Sequence, residues 1–158
     1  MMLYSKKLVL FFSYVLMKMK GAIALYRFRS LIKRVGKGSR CHISVQIKYP
    51  EKILIGDNVA IGPMVTLGGY GGIKLDDYVR ISKGVTIESA SLNLSGNLPY
   101  KHTAKPIHIK EGAWLGTGSI ILGGVTVGKR AVVGAGAIVT KDVPDGGIIV
   151  SQPVRVIK

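Results

Sequence analysis

The side chains best suited to proton-transfer chemistry in this chain are three histidines, His42, His102 and His108. An imidazole can take a proton from a hydroxyl group near neutral pH, because its ordinary pKa is about 6.5. The same histidines do not predict a zinc site, because they are separated by 60 and 6 positions and only one cysteine, Cys41, accompanies them. The histidines are therefore candidate general bases, and no metal is expected.

His102 lies in the polar stretch Glu88–Lys105, which is marked by glycine and proline and interrupts the apolar pattern on either side. Such a stretch is predicted to form a loop, and loops on a rigid scaffold often carry catalytic residues. His102 is therefore the first candidate base, with Glu88 or Asn93 as groups that could orient it. His108 precedes the apolar Ile109 and should point outward, which makes it the second candidate. The alternative is that His102 is an ordinary surface histidine.

Apolar residues recur with a period of six from residue 43 onward, which fits neither an α-helix nor an alternating strand. The predicted leading positions are Ile43, Tyr49, Ile55, Ile61, Leu67, then, after a slip of two at residues 70–72, Leu75, Ile81, Ile87, Ile109, Leu115, Ile121, Val127, Val133 and Val139. Each hexad supplies a short strand and a turn, and three hexads close one coil of about 18 residues. The pattern predicts a mainly β solenoid whose coils stack around a narrow apolar interior.

Residues 1–36 form a basic, apolar leader ahead of the domain 37–158, which carries the predicted loop at about 88–106. Residues 1–40 contain ten Lys and Arg and no Asp or Glu, within a chain of net charge +15. The apolar run Leu8–Met17 is too short to span a bilayer alone, and cations follow it. We expect a basic amphipathic helix that contacts an anionic membrane. A helix that packs on its own protein and a signal peptide cleaved near Ala22-Ile23-Ala24 are the alternatives.

The positive charge does not by itself predict nucleic-acid binding. Two thirds of the excess positive charge lies in residues 1–40, whereas a nucleic-acid site needs cations that follow a groove beside aromatic stacking partners. No nucleic-acid partner is therefore expected.

Several specific motifs lie in the stretch from Lys105 to Lys158: Lys105-Pro106-Ile107, Trp114-Leu115-Gly116, Gly124-Val125 and Thr140-Lys141-Asp142-Val143-Pro144. Through these motifs, residues 37–158 resemble the hexapeptide-repeat acyltransferases, and among them the sugar O-acetyltransferases. The resemblance implies a left-handed parallel β-helix with a short N-terminal helical segment. It also implies a homotrimer that binds acetyl-CoA in the groove between neighbouring subunits.

The resemblance also implies a set of coenzyme contacts in this chain: Trp114, Thr117, Ala135, Thr140, Lys141 and Arg155. The tryptophan would wall the thioester pocket, and Thr117 and Ala135 would present backbone groups to the pantetheine arm. The remaining three would lie toward the nucleotide and its phosphates, where cationic side chains suit the negative charge.

One departure from the family pattern concerns the base itself. The position of the catalytic histidine in the maltose and galactoside branches falls on Leu92, which cannot accept a proton, so His102 is expected to replace it. The implied function is acetyl-CoA-dependent O-acetylation of a sugar hydroxyl in cell-surface polysaccharide biosynthesis. The expected location is the cytoplasm, with residues 1–36 in peripheral contact with the inner face of the membrane. A non-catalytic trimeric scaffold and an N-acetyltransferase acting on an amino sugar are the alternatives.

Overall fold

A computed structural model describes the backbone of residues 2–151 and the side chains of residues 6–151. A long helix, α1 (Met2–Leu31), is followed by eighteen short strands. The first nine strands are β1 (Arg34–Val35), β2 (Arg40–Cys41), β3 (Gln46–Lys48), β4 (Ile53–Ile55), β5 (Ala60–Ile61), β6 (Thr66–Gly68), β7 (Ile73–Leu75), β8 (Arg80–Ile81) and β9 (Thr86–Glu88). The others are β10 (Ala90–Leu92), β11 (His102–Ala104), β12 (Ile107–Ile109), β13 (Trp114–Leu115), β14 (Ile120–Leu122), β15 (Thr126–Val127), β16 (Val132–Val133), β17 (Ile138–Val139) and β18 (Ile148–Ile149).

Sixteen of these strands stack into three parallel sheets that form the sides of a solenoid. Sheet A contains β1, β4, β7, β12 and β15; sheet B contains β2, β5, β8, β13, β16 and β18; sheet C contains β3, β6, β9, β14 and β17. The chain passes from A to B to C in each coil, and each strand pairs with its equivalents in the neighbouring coils. The predicted parallel β-helix is therefore confirmed.

The interior of the solenoid is filled by the repeating apolar residues. All predicted leading positions from Ile55 to Val139 are buried, and so are the Val and Ala residues that lie four positions after them, including Val59, Val85 and Val125. Because equivalent residues of successive coils lie one strand spacing apart, about 4.8 Å, their side chains form continuous apolar columns. A single coil could not exclude water from its own side chains, so burial depends on stacking.

The start of the predicted frame was wrong. Tyr49 is 46% exposed with φ of 56°, and the interior positions of the first coil are Val45 and Ile47 rather than Ile43 and Tyr49. A 3₁₀ turn, Pro50–Lys52, adds two residues at this corner. The spacing between paired residues across this turn is consequently twenty positions, as for Arg34 and Leu54, whereas the later coils keep the regular eighteen.

Every irregular insertion lies at the same corner of the solenoid, where the chain leaves sheet C and enters sheet A. We call this corner the C–A edge; its segments are residues 49–52, 69–72, 89–106, 123–125 and 140–142. The largest segment carries an antiparallel hairpin of β10 and β11. Gly123 and Gly124 lie directly below it. A Cβ at Gly123 would be 2.9 Å from the carbonyl oxygen of Ser89, and Gly124 has φ of +92°, so both positions favour glycine.

Helix α1 covers the first coil with only its last turns. Ala24 and Phe28 are buried, as is Ile32 just beyond the helix, whereas nine large apolar side chains between Leu8 and Met19 are exposed. These exposed side chains surround the helix, because the apolar run Leu8–Met17 covers nearly three turns. The predicted leader is thus helical but not amphipathic. By length and composition alone, Lys6–Leu31 could cross a membrane, as many signal sequences could.

Two buried serines in the solenoid should respond oppositely to removal of the hydroxyl group. Ser89 Oγ donates to the carbonyl of Gly68 at 2.6 Å and accepts the N–H of Gly71 at 2.8 Å, whereas Ser119 Oγ is buried without a partner among the described residues. We expect Ser89→Ala to lower the free energy of unfolding by about 1–3 kcal/mol and Ser119→Ala to leave it unchanged or raise it by about 1 kcal/mol. Urea denaturation of the two variants measures this difference, and an equal decrease in the free energy of unfolding of both would contradict it.

Candidate active site

The hairpin at the C–A edge places His102 opposite the residue that departs from the family pattern. In the antiparallel register, Leu92 of β10 is the direct partner of His102 of β11. Directly opposed residues of an antiparallel pair project their side chains to the same face, with Cβ atoms about 5 Å apart. An imidazole is therefore available within one side-chain length of the position that Leu92 occupies. The polarity of this segment indicated a loop but gave no sign of strand pairing.

Two tyrosines and a lysine of the neighbouring coils lie beside His102. The ring of Tyr70 contacts the imidazole edge-on, with centroids 6.2 Å apart, and the ring of Tyr49 is 5.2 Å from that of Tyr70. Lys52 Nζ lies 4.9 Å from the centroid of Tyr70 and 5.7 Å from that of Tyr49, and donates to the carbonyl of Tyr70 at 3.0 Å. Sequence reasoning missed this cluster, although its members flank the two places where the hexad frame slips.

The two residues proposed to orient His102 make other contacts. Glu88 Oε1 accepts the N–H of Ala90 at 3.1 Å, which fixes the start of the hairpin. Asn93 Oδ1 accepts from the N–H and the hydroxyl of Ser95, at 3.1 and 2.6 Å. Within the described part of the chain, the aromatic contact with Tyr70 is the interaction that positions the imidazole.

A groove of about 520 Å³ lies between the hairpin and the corners of the next two coils. Its lining includes Leu92, Asn93, Thr103, Lys105, Leu122 and Thr140. The predicted coenzyme residue Thr140 is thus brought to the hairpin that carries His102, and Lys141 follows it as an exposed residue of the same edge.

Thr117 and Ala135 occupy equivalent exposed turns, eighteen positions apart, where sheet B leads into sheet C. The carbonyl of Thr117 accepts the N–H of Gly136 at 2.9 Å, which joins the two turns. Within residues 2–151, the N–H groups of Thr117 and Ala135 make no backbone hydrogen bond. These two N–H groups are therefore without a backbone acceptor among the described residues.

Trp114 lies on a different side of the solenoid from His102. It belongs to sheet B, where its indole Nε1 donates to the hydroxyl of Ser82 at 3.0 Å and its side chain remains half exposed. It lines an open groove of about 570 Å³ together with Arg40, His42 and Arg80. A single chain therefore does not bring Trp114 and His102 together. Arg155, the remaining predicted contact, lies outside the described residues.

His108 forms a separate pair with a carboxylate on sheet A. Its Nε2 is 2.8 Å from Asp76 Oδ2, and Lys74 Nζ is 3.1 Å from Asp76 Oδ1. Partial burial alone would raise the pKa of Asp76, but hydrogen bonds from Lys74 and His108 and their positive charge hold that pKa below its ordinary value. The carboxylate holds the His108 ring on sheet A, so this histidine serves a local ion cluster rather than the hairpin.

Cys41 is not suited to forming an acyl-enzyme. Burial raises the pKa of its thiol to about 11, although the nearby positive charge of Arg27 opposes the shift. The side chain is therefore a neutral thiol near pH 7 and a poor nucleophile. In the described residues, no group of three or more His, Cys, Asp or Glu side chains is arranged to hold a metal ion.

Comparison with known proteins agrees with this fold. The family model described as bacterial transferase hexapeptide (six repeats) matches residues 106–141. The galactoside O-acetyltransferase of Escherichia coli K12 is 30% identical over 164 residues, which cover 89% of this chain and 78% of that protein. WcaF of the same strain, an acetyltransferase assigned to colanic acid biosynthesis, is 32% identical over 85% of this chain and 76% of its own.

A third relative matches more narrowly. The galactoside O-acetyltransferase of Lactococcus lactis is 38% identical over 58% of this chain, and the match spans only 45% of that relative's length.

Solved structures give the same result. A hexapeptide-repeat acetyltransferase from Vibrio cholerae, complexed with acetyl coenzyme A, superposes with a TM-score of 0.77 at 28% identity over 87% of this chain and 76% of its own. AntD, an N-acyltransferase from Bacillus cereus in complex with dTDP and 3-hydroxybutyryl-CoA, gives a TM-score of 0.64 at 26% identity. The match covers 82% of this chain and 84% of AntD. This chain belongs to the hexapeptide-repeat acetyltransferases, an acyltransferase class.

The Asp76 cluster should stabilise the fold in a pH-dependent way. A carboxylate whose pKa is lowered by folding contributes stability above its ordinary pKa of about 3.9 and loses it as pH falls through the lower folded value. We expect Asp76→Asn to reduce the free energy of unfolding by up to about 1 kcal/mol at pH 7, and the difference from wild type to vanish in strong acid.

Urea titrations from pH 7 downward measure this effect. Glu111→Gln is the control, because Glu111 pairs with Lys129 at 3.7 Å in solvent and should matter by less than about 0.5 kcal/mol at pH 7. A difference for Asp76→Asn that stayed constant down to strong acid would rule out the ionic explanation.

Proposed function

We propose that this protein is an acetyl-CoA-dependent O-acetyltransferase that acetylates a sugar hydroxyl, with His102 as the general base. The observation that supports this most directly is the pairing of His102 with Leu92 across the hairpin. Leu92 occupies the position of the family's catalytic histidine, and the imidazole of His102 projects from the neighbouring strand to the same face. The contact with the ring of Tyr70 gives that imidazole a defined orientation.

In the proposed reaction, His102 accepts the proton of the acceptor hydroxyl while the oxygen attacks the carbonyl carbon of the thioester. The new carbon–oxygen bond forms as the carbon–sulfur bond breaks, and the imidazolium returns its proton to the departing thiolate of CoA. The products are the acetyl ester and free CoA, and His102 is again neutral. A direct transfer of this kind needs no acyl-enzyme, which is consistent with the raised pKa of Cys41.

We propose that acetyl-CoA lies along the turns that carry Thr117 and Ala135, whose backbone N–H groups suit the carbonyls of pantetheine. Thr140 and Lys141 would lie toward its nucleotide, and Lys141 is an exposed cation whose charge suits the phosphates. Arg155 is retained as a proposed phosphate contact on the resemblance alone.

We also propose that the complete site forms between subunits of a homotrimer. Trp114 is on sheet B and His102 is at the C–A edge, so one copy cannot present both to the same thioester. A neighbouring copy that packs against this edge could supply its own Trp114. The placement of the two residues on different sides of the chain supports a site shared between subunits, and the family resemblance implies that the assembly is a homotrimer.

The proposed acceptor is a sugar of a cell-surface polysaccharide, modified in the cytoplasm where acetyl-CoA is available. Similarity to galactoside O-acetyltransferases and to WcaF supports a sugar acceptor. The main rival is N-acetylation of an amino sugar, which the similarity to AntD favours. The ester product of O-transfer is cleaved by hydroxylamine and the amide product of N-transfer is not, so product analysis separates the two.

Replacement of the base should abolish turnover without abolishing coenzyme binding. We expect His102→Ala to reduce kcat for thiol release from acetyl-CoA by about 10²- to 10⁴-fold, with the Kd for CoA within a factor of about three of wild type. His108→Ala is the matched control and should retain activity, because His108 is bound to Asp76 on another sheet.

Equal activity of wild type and His102→Ala would remove His102 as the base. Loss of activity in His108→Ala alone would transfer the role to that histidine. Coenzyme binding without turnover on any member of a panel of sugars and amino sugars would favour the non-catalytic scaffold.

The shared site can be tested by mixing subunits. Sedimentation in mild detergent should give a particle of three times the chain mass of 17.0 kDa. His102→Ala and Trp114→Ala should each be nearly inactive alone, whereas co-expressed mixed trimers should regain up to about a quarter of wild-type activity, because some interfaces then contain both native residues. A monomeric mass, or no recovery in mixed particles, would exclude a site that takes these residues from different subunits.

A further inference from the structure

Residues 6–21 of α1 form an apolar helical segment that makes few contacts with the rest of the described structure. Nine of its large side chains are 53–69% exposed: Leu8, Val9, Leu10, Phe11, Phe12, Tyr14, Leu16, Met17 and Met19. We call residues 6–21 the free segment. The rest of the helix is held against the first coil, where Ala24 and Phe28 are buried. A contiguous exposed apolar surface of this kind needs an interaction partner.

The distribution of apolar side chains indicates what kind of partner fits. They surround the free segment on all sides, whereas a protein groove would cover one face of a helix and leave the others in water. A lipid phase covers every side at once. The cations favour lipid of a particular charge, because residues 1–40 carry ten Lys and Arg without one acidic residue, and each such cation near an anionic surface strengthens binding.

The positions of the lysines limit how deeply the helix can enter. Lys6 and Lys7 precede the apolar run Leu8–Met17, and Lys18 and Lys20 follow it. The run is about 15 Å long, half of a hydrocarbon core of about 30 Å, so an upright helix would place one lysine pair near the bilayer centre. A shallow, oblique helix allows both pairs to reach the headgroups through their flexible side chains.

We propose that the free segment inserts into one leaflet of an anionic membrane and anchors the solenoid to its surface. The buried contact of Ala24 and Phe28 transmits this attachment to the first coil, so the solenoid is held at the bilayer. This inference is independent of the catalytic proposal, since it involves none of the residues placed at the active site.

Flotation of the full-length protein with vesicles tests the proposal, after intact mass measurement has verified that residues 1–24 are present. The protein should float with vesicles that contain phosphatidylglycerol. Leu10→Asp/Phe12→Asp should lower the partition coefficient at least about 100-fold, because each charge enters the apolar layer. Met64→Asp/Tyr78→Asp is the matched control at exposed solenoid corners and should float like wild type.

A second variant separates the electrostatic contribution. Lys18→Gln/Lys20→Gln should bind phosphatidylglycerol vesicles about 30-fold more weakly, and pure phosphatidylcholine vesicles about as weakly as wild type does. A membrane-impermeant amine reagent, added outside the vesicles, distinguishes the depth of insertion. Both lysine pairs should be modified at once, whereas modification of Lys6 and Lys7 only after the vesicles are opened would show a spanning helix and overturn the one-leaflet proposal.

Two other results would overturn the proposal. Recovery of wild-type protein with an intact N-terminus in the soluble fraction, in particles larger than a trimer, would show that the free segments pack against one another. Equal flotation of wild type and Leu10→Asp/Phe12→Asp would show that another surface binds the lipid. Acetyl transfer measured in the same samples reports separately on the proposed enzyme function.

Discussion

The narrow apolar interior of the solenoid is the constraint on which the rest of the structure depends. In the regular coils each sheet contributes two buried side chains, such as Val59 and Ile61 on sheet B or Val65 and Leu67 on sheet C, and these leave little room in the interior. An extra residue inside a strand would turn its neighbours from the interior to the surface. Insertions are therefore possible only at corners, where the chain can loop outward without disturbing the stacked columns.

This constraint explains why His102 and the residues around it lie at the C–A edge. The 3₁₀ turn after Tyr49, the slip around Tyr70 and the hairpin that carries His102 all leave the solenoid at this corner. Because successive coils are stacked one strand spacing apart, insertions distant in sequence become neighbours in space. The two hydrogen bonds of Ser89 Oγ with Gly68 and Gly71 attach the base of the hairpin to the preceding coil. The hairpin therefore begins from a fixed position.

The N-terminal helix shows a second consequence of stacking. The first coil has no coil before it, so its apolar end must be covered by something else, and the last turns of α1 provide Phe28 for that purpose. The remaining described turns of the helix extend past the solenoid and contribute no buried side chain to it. The proposed insertion of these turns into one leaflet would account for their apolar character, and the cations on either side of Leu8–Met17 suit the headgroup region.

The sequence alone determined the repeat, because burial inside a stacked coil imposes a period that is visible in positions such as Ile55, Ile61 and Leu67. It also identified the family through the motifs between Lys105 and Pro144. It did not determine the frame around Tyr49, since an apolar tyrosine at the expected spacing looks like a core residue until the added turn is seen.

Only the tertiary structure decided which residues meet. The opposition of Leu92 and His102, the contact of Tyr70 with the imidazole and the separation of Trp114 onto sheet B all depend on pairing between segments that are distant in the chain. Local sequence encodes the preference of a residue for the interior or the surface. Which surface residues become neighbours is fixed by the register between coils, and that register depends on every insertion that precedes it.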